Sequence, residues 1–323
     1  MEVQVNKMNL TPFTEKVSKL KNAISSVIVG QERSVDLILT AILARGHVLI
    51  EGVPGVAKTL LAKMIAKLIN ADFSRIQFTP DLMPSDVLGT SVFNMKTSEF
   101  NFHPGPVFAD IILVDEVNRA PAKTQSALFE VMEERQATID GTLHKMSPIY
   151  TILATQNPIE QEGTYKLPEA QIDRFMMKIT IPYPSFDEEL EILERHNQNA
   201  HLAKLEDVTP VISREDMLEL FGYVDKVYIE KSLILYIASI IHQTRRSIAV
   251  LLGASPRASV ALLKSSKAMA LLQGRDFVTP EDIKEVAPYV LQHRLILTAE
   301  TEMGGSTPIT IVKRLIEKVE VPK

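Results

Sequence analysis

Gly46-His47-Val48-Leu49-Ile50-Glu51-Gly52-Val53-Pro54-Gly55-Val56-Ala57-Lys58-Thr59 decides the reading of this chain. The apolar run Val48-Leu49-Ile50 predicts a buried strand, and Gly52, Pro54 and Gly55 predict a tight loop. Leu61, Met64, Ile65 and Leu68 then recur at helical spacing. Strand, glycine-rich loop and helix in that order form the context of a phosphate-binding P-loop. Glycines let backbone N–H groups turn inward around phosphate oxygens, and the helix N-terminus adds partial positive charge. In such a loop Lys58 contacts the β- and γ-phosphates and Thr59 holds Mg²⁺, with Gly52, Pro54, Gly55, Val56, Ala57 and Leu60 completing the cradle. The strict pattern G-x-x-x-x-G-K-[ST] expects glycine where this chain has Ala57, so the match fails by one residue.

Further along, Ile111-Ile112-Leu113-Val114 runs straight into Asp115-Glu116. A lone acidic pair at a strand tip is as often a strand reaching solvent as a site. Downstream of a P-loop the pair has defined work: Asp115 orients the metal through its water shell, and Glu116 polarises the water that attacks the γ-phosphate. The next apolar run, Tyr150 to Ala154, leads through Thr155 and Gln156 to Asn157. Ligands in doubly wound sheets sit at the carboxyl ends of the strands, which puts Asn157 beside the γ-phosphate as a holder of that water. Taken alone, an Asn before a Pro reads as a turn residue.

Two arginines call for a role. Leu167 to Phe175 reads as a helix leading into a strand, with Arg174 at its end, either as a cap or as a transition-state arginine supplied to a neighbouring subunit. Gly253-Ala254-Ser255-Pro256-Arg257 opens a helix and leaves Arg257 at the dipole-unfavourable end. A reach toward bound phosphate would offset that; otherwise Arg257 is a surface residue.

Outward from these motifs, short apolar strands alternate with helical patterns up to Pro184, which predicts an α/β doubly wound parallel sheet with helices on both faces. Beyond Pro184 the runs take helical spacing, with start signals at Ser185-x-x-Glu188, Ser213-x-x-Asp216 and Thr279-Pro280-Glu281-Asp282. The chain therefore divides into residues 1–184, an α/β core, and 185–323, an all-α domain, with a plausible hinge at Ile181-Pro182-Tyr183-Pro184. Residues 81–103 are long for a connection and read as a functional or inserted element. Asp140-Gly141 is a type I′ turn signal for a hairpin.

With 323 residues, 46% hydrophobic and 23% charged, the composition is that of a folded protein. A net charge of -5 gives no electrostatic footprint for nucleic acid, making that an unfavoured partner. The absence of cysteine excludes disulfides and thiolate sites. No secretory signal or membrane-length apolar run is seen, so a cytoplasmic protein without membrane insertion is expected. The seven histidines show no paired ligand spacing and read as surface residues.

Taken together, these motifs resemble AAA+ ATPases. Gly52 to Thr59 looks like Walker A, Ile111 to Glu116 like Walker B, Asn157 like sensor 1, Arg174 like the arginine finger and Arg257 like sensor 2. Within that class, Glu51-Gly52-Val53-Pro54-Gly55-Val56-Ala57-Lys58-Thr59, Gly105-Pro106-Val107-Phe108-Ala109-Asp110 and Asp115-Glu116-Val117-Asn118-Arg119-Ala120-Pro121 resemble the MoxR family, in which Ala at position 57 is common. The likeness covers nearly the whole chain. It implies an all-α lid domain, ATP and Mg²⁺ as ligands, adenine bordered by Val29 and Gly30, and a hexameric ring. It also implies that residues 81–103 and the Asp140-Gly141 hairpin face a central pore, where Phe93, Met95 and Phe100 push on a partner or form hairpin core. The family's chaperone-like remodelling of protein clients, often beside von Willebrand factor A domain proteins, is the function implied. Nucleic-acid motors and metal-chelatase motor subunits carry related motifs and are the alternatives.

Overall fold

The structure is a computed structural model and describes residues 10–53, 55–157, 165, 167–197, 205 and 208–322. Pro54, expected in the phosphate loop, lies outside the described residues. Five parallel strands form the central sheet: β1 (Val48–Gly52), β2 (Phe73–Gln77), β3 (Ile111–Asp115), β4 (Thr151–Gln156) and β5 (Met177–Ile181), in the order β2-β3-β4-β1-β5. Both faces are covered, which is why β3 reads as an unbroken apolar run and is buried at all five positions.

Successive side chains of a strand point to opposite faces, and the packing follows that alternation. Val48, Ile50, Ile111, Leu113 and Leu153 join one apolar cluster, while Leu49, Ile112, Val114, Ile152 and Ala154 join another. The first cluster takes in the predicted face of helix Lys58–Leu68, the N-terminal helices Thr11–Ser25 and Glu32–Leu43, and much of the helical C-terminal part. The second is closed by helix Ala122–Glu134 through Leu128, Phe129, Val131 and Met132.

Residues 81–103 contain the short helix Pro84–Leu88 and most of a hairpin pairing Gly89–Asn94 with Glu99–Pro104. On that hairpin Phe93, Met95 and Phe100 are exposed by 49%, 88% and 72%, and the Phe93 and Phe100 rings pair across the strands with centroids 5.2 Å apart. The Asp140-Gly141 signal is realised as a hairpin of Gln136–Ile139 and Thr142–Lys145, with φ of 50° and 78° at the two turn residues. Both lie in the left-handed region that a type I′ turn demands.

After β5 the chain is helical, with Phe186–Asn197, Arg214–Lys226, Lys231–Arg246, Pro256–Leu272, Pro280–Leu291 and Pro308–Glu317 as its main elements. The predicted capping boxes form: Ser213 with Asp216 and Thr279 with Asp282 exchange side-chain and backbone bonds, and Ser185 does the same with Glu188. One detail departs from an all-helical reading. A two-stranded antiparallel ribbon, Val250–Leu252 with Ile296–Leu297, sits inside this part, and its strands are too short to show a period-two pattern in sequence.

The helical part is bolted to the sheet just past helix Pro280–Leu291. Gln292 Nε2 donates to the Lys178 carbonyl at 2.6 Å and the His293 ring nitrogen Nε2 lies 3.0 Å from the Phe175 carbonyl. Arg294, nearly buried, donates to the Asp173 carboxylate at 2.7 Å and to the carbonyls of Asp173, Phe175 and Met176.

Candidate functional site

At the carboxyl end of β1 the backbone does what the loop motif requires. Gly55 takes φ of 90°, with nothing near the place a Cβ would occupy, and Ala57 takes φ of 58° as the N-cap of helix Lys58–Leu68. The left-handed backbone at Ala57 is why the strict pattern prefers glycine there; alanine bears a cost of about 1 kcal/mol. Gly52 is packed so closely that a Cβ would stand 3.0 Å from the Ile181 carbonyl. Lys58 Nζ donates to the Gly52 carbonyl at 2.6 Å, folding its ammonium over the loop. Thr59 and Leu60 follow in the first helical turn, and Leu60 packs against the core. Gln31 Nε2 donates to the Val56 carbonyl at 2.9 Å, tying the bend at Val29 and Gly30 to the same loop.

The acidic pair ends β3, two strands away from β1. Asp115 is buried and accepts from Thr155 Oγ1 at 3.1 Å and from Arg75 Nε at 2.6 Å. Glu116 has φ of 57°, and its N–H donates to Thr155 Oγ1 at 3.0 Å. A non-glycine residue in that region is held there by its surroundings, and such strain clusters at functional sites. Gln77 Nε2 donates to the Glu116 carboxylate at 2.8 Å, with Arg119 Nε at 3.3 Å from the same oxygen. Asn157 is buried one residue past the end of β4. The register pairs Glu51 with Gln156, so Asn157 stands level with Gly52, the first residue of the phosphate loop. Loop, acidic pair and Asn157 thus converge at one end of the sheet.

Arg174 and Arg257 do not. Arg174 lies in the turn between the short helix Glu169–Ile172 and β5, at the entry end of the strands. Arg257 lines the same pocket as Gly46 and His47, which precede β1. The five residues of β1 separate the two ends by roughly 16 Å. Arg257 therefore does not reach the phosphate loop of its own chain, and the expected offset to its helix-end position comes from carboxylates instead. Its guanidinium pairs with Glu133 at 2.7 Å and Asp173 at 3.8 Å, and Arg174 stands 3.7 Å from Glu133.

Other functional candidates were silent in the sequence. Gln77 and Arg75 reach the acids from β2, a neighbouring strand far away in the chain, and no motif marks them. His47, expected at the surface, is buried beneath the sheet, where Nδ1 accepts from the Ile152 N–H at 3.0 Å and Nε2 lies 3.1 Å from the Met132 carbonyl. Burial first, and then the Arg135 charge, push its pKa down to about 3, so it is a neutral structural residue.

The donors suit nucleotide with magnesium. Mg²⁺ takes hard oxygen ligands, commonly one or two from protein with phosphate and water completing the shell. The Thr59 hydroxyl and the Asp115 carboxylate are of that kind, and Gly55 and Ala57 take the left-handed backbone that such a loop uses. Arg75, which bonds Asp115, is half exposed and also donates to Gln77 Oε1 at 3.3 Å.

A parallel sheet of this strand order, with a phosphate loop, an acid pair and a polar residue on three of its strands and a helical domain behind, defines an AAA+ ATPase. The profile described as ATPase family associated with various cellular activities (AAA) matches residues 47–177, and that of the AAA lid domain matches 242–315. The chain is 42% identical over 309 residues to Chaperone MoxR1 of Mycobacterium tuberculosis, covering 93% of this chain and 81% of that one. It is 47% identical to Uncharacterized protein YeaC of Bacillus subtilis, covering 95% of each. A crystal structure of a candidate ATPase from Cytophaga hutchinsonii superposes with a TM-score of 0.89 at 43% identity, over 97% of both chains. The chain belongs to the MoxR family of AAA+ ATPases.

Proposed function

We propose that this protein hydrolyses ATP with Mg²⁺ and uses the cycle to remodel or mature a protein partner, working as a ring, with six subunits expected, whose active sites are completed between copies. The observation that carries this reading is the separation of the charges. The phosphate loop, Asp115, Glu116 and Asn157 gather at the exit end of the sheet, whereas Arg174 and Arg257 stand together at the entry end. An arginine that serves phosphate from there serves the phosphate of another copy.

Mg²⁺, when bound, would supply positive charge to the phosphate oxygens. Lys58 and the loop N–H groups would bind the polyphosphate; the Thr59 hydroxyl would hold the metal, and Asp115 would orient it through its water shell. Glu116, aimed by Gln77, takes the proton of the attacking water, and Asn157 orients that water. Val29 and Gly30 border the base. Arg174 and Arg257 stabilise the transition-state charge in trans, a contribution on the order of 10³ to 10⁵ in rate for such an arginine.

The family name Chaperone MoxR1 supports a protein client. The hairpin bearing exposed Phe93, Met95 and Phe100 supplies an apolar surface for it, and a von Willebrand factor A domain protein is the partner class we propose. Residues 1–184 then act as the motor core and 185–323 as the lid. Among the described residues no helix is long and apolar enough to cross a membrane; we place the protein in the cytoplasm.

The test is ATPase rate per subunit against protein concentration, with mass followed by light scattering with and without ATP. A rate that rises with assembly, and falls at least about 10³-fold in an Arg174→Ala chain that still assembles, is expected. A flat rate per subunit with Arg174→Ala indifferent overturns the ring reading.

A further inference from the structure

Glu133, near the end of helix Ala122–Glu134, accepts a hydrogen bond from Arg257 at 2.7 Å and lies within ion-pair distance of Arg174, at 3.7 Å. They line a cavity of about 210 Å³ whose walls carry six cationic side chains and two carboxylates. Asp173, one of the two carboxylates, is engaged by the buried Arg294 at 2.7 Å. Arg135, one of the six cations, spends its guanidinium on the carbonyls of Tyr150 and Arg45. Arg257 also lies 3.8 Å from Asp173, and Glu133 is the carboxylate that Arg257 and Arg174 share.

Two guanidinium groups brought side by side repel one another unless an anion stands between them. The cavity has room for about seven waters at ~30 Å³ each, enough for a phosphate group. It opens outward: Arg257 and Glu133 are 43% and 38% exposed. Lys264, also exposed, extends the cationic lining seven residues further along helix Pro256–Leu272, on the face that carries Arg257. Guanidinium groups bind carboxylate and phosphate with the same fork of donors, so either anion satisfies this pair.

We propose that Glu133 is the internal anion that holds Arg174 and Arg257 in the free subunit and must be displaced when they turn to the phosphates of a second copy of this chain. The inference rests on the trans role of Arg174 and Arg257 given above. Glu133 thereby acts as a positioning residue. It keeps both arginines folded at the interface and sets how readily they transfer to the neighbour.

The experiment mixes two inactive chains. Arg174→Ala retains a phosphate loop but offers only Arg257 of the two arginines; Lys58→Ala offers both but lacks a working loop. Activity in the mixture, titrated against total protein, gives a half-activating concentration. Adding Glu133→Gln to the Lys58→Ala chain is expected to lower that concentration about three- to fivefold, the scale of a partly exposed ion pair. Glu133→Ala should act in the same direction, and Glu133→Asp should restore the original value. If the parent mixture is inactive while each chain folds and assembles, the trans reading fails and this inference falls with it. If the mixture is active but Glu133→Gln leaves the midpoint unmoved or raises it, the trans reading stands and Glu133 is no competitor.

Discussion

Glu116→Gln isolates the chemical step. In the native chain the carboxylate accepts from Gln77 Nε2 at 2.8 Å and lies 3.3 Å from Arg119 Nε, with its side chain 28% exposed. The amide keeps an oxygen for Gln77 and loses only a partly hydrated charge pair, so the cost to stability is under about 1 kcal/mol. Lys58, Thr59 and the loop N–H groups are untouched, and nucleotide affinity should stay within a few-fold of the wild type. What goes is the proton acceptor. A general base contributes typically 10²- to 10⁴-fold, which raises the barrier by about 2.7 to 5.4 kcal/mol. A coupled ATPase assay beside fluorescent-nucleotide binding measures both quantities. As a control, Gln77→Leu leaves the carboxylate present but unaimed, and kcat should fall about tenfold with KM unchanged. A Glu116→Gln chain that hydrolyses ATP at more than a tenth of the wild-type rate would refute the assignment, and so would loss of nucleotide binding.

Two further predictions concern the scaffold. The Asp110 carboxylate, 2% exposed, accepts from the Asp72 N–H at 3.0 Å, from Arg214 at 2.8 Å and from the Ser147 hydroxyl, so Asp110→Ala should cost about 2 to 4 kcal/mol in urea unfolding; a loss below 1 kcal/mol would mean that this junction bears little. His47 is neutral in the folded chain because burial lowers its pKa from 6.5 to about 3. The unfolded chain binds the proton first, so the stability from this group is complete above pH ~6.5 and is lost as pH falls toward 3, at about 1.4 kcal/mol per pH unit. Denaturant unfolding should show that slope below pH ~6 and none from this group above pH ~7, and a His47→Gln chain, less stable overall, should lack it.

Much of this was legible because it is local. The P-loop helix buries the four residues its spacing singles out, and Asp140-Gly141 forms the turn its dihedral preferences require. The capping pairs at Ser213 and Thr279 close within three residues. What escaped is what depends on distant segments meeting. Arg75 finds Asp115 forty residues on, and Arg257 finds Glu133 across 124. Nothing beside His47 in sequence announces that Met132 and Ile152 will enclose it. The position of Arg257 follows from how the lid folds back on the sheet. A helix-start pattern fixes its place on the helix but not the end of the sheet it meets.

The bonds from Gln292, His293 and Arg294 to the backbone around β5 have a mechanical meaning. His293 and Arg294 of the lid grip the turn that carries Arg174, Gln292 holds β5 just after it, and Arg257 rides on the same lid. Lid and turn therefore form a single lever with both guanidinium groups at its tip. A rotation that carried lid and turn together would withdraw both, so each junction of such a ring would engage or release as a unit.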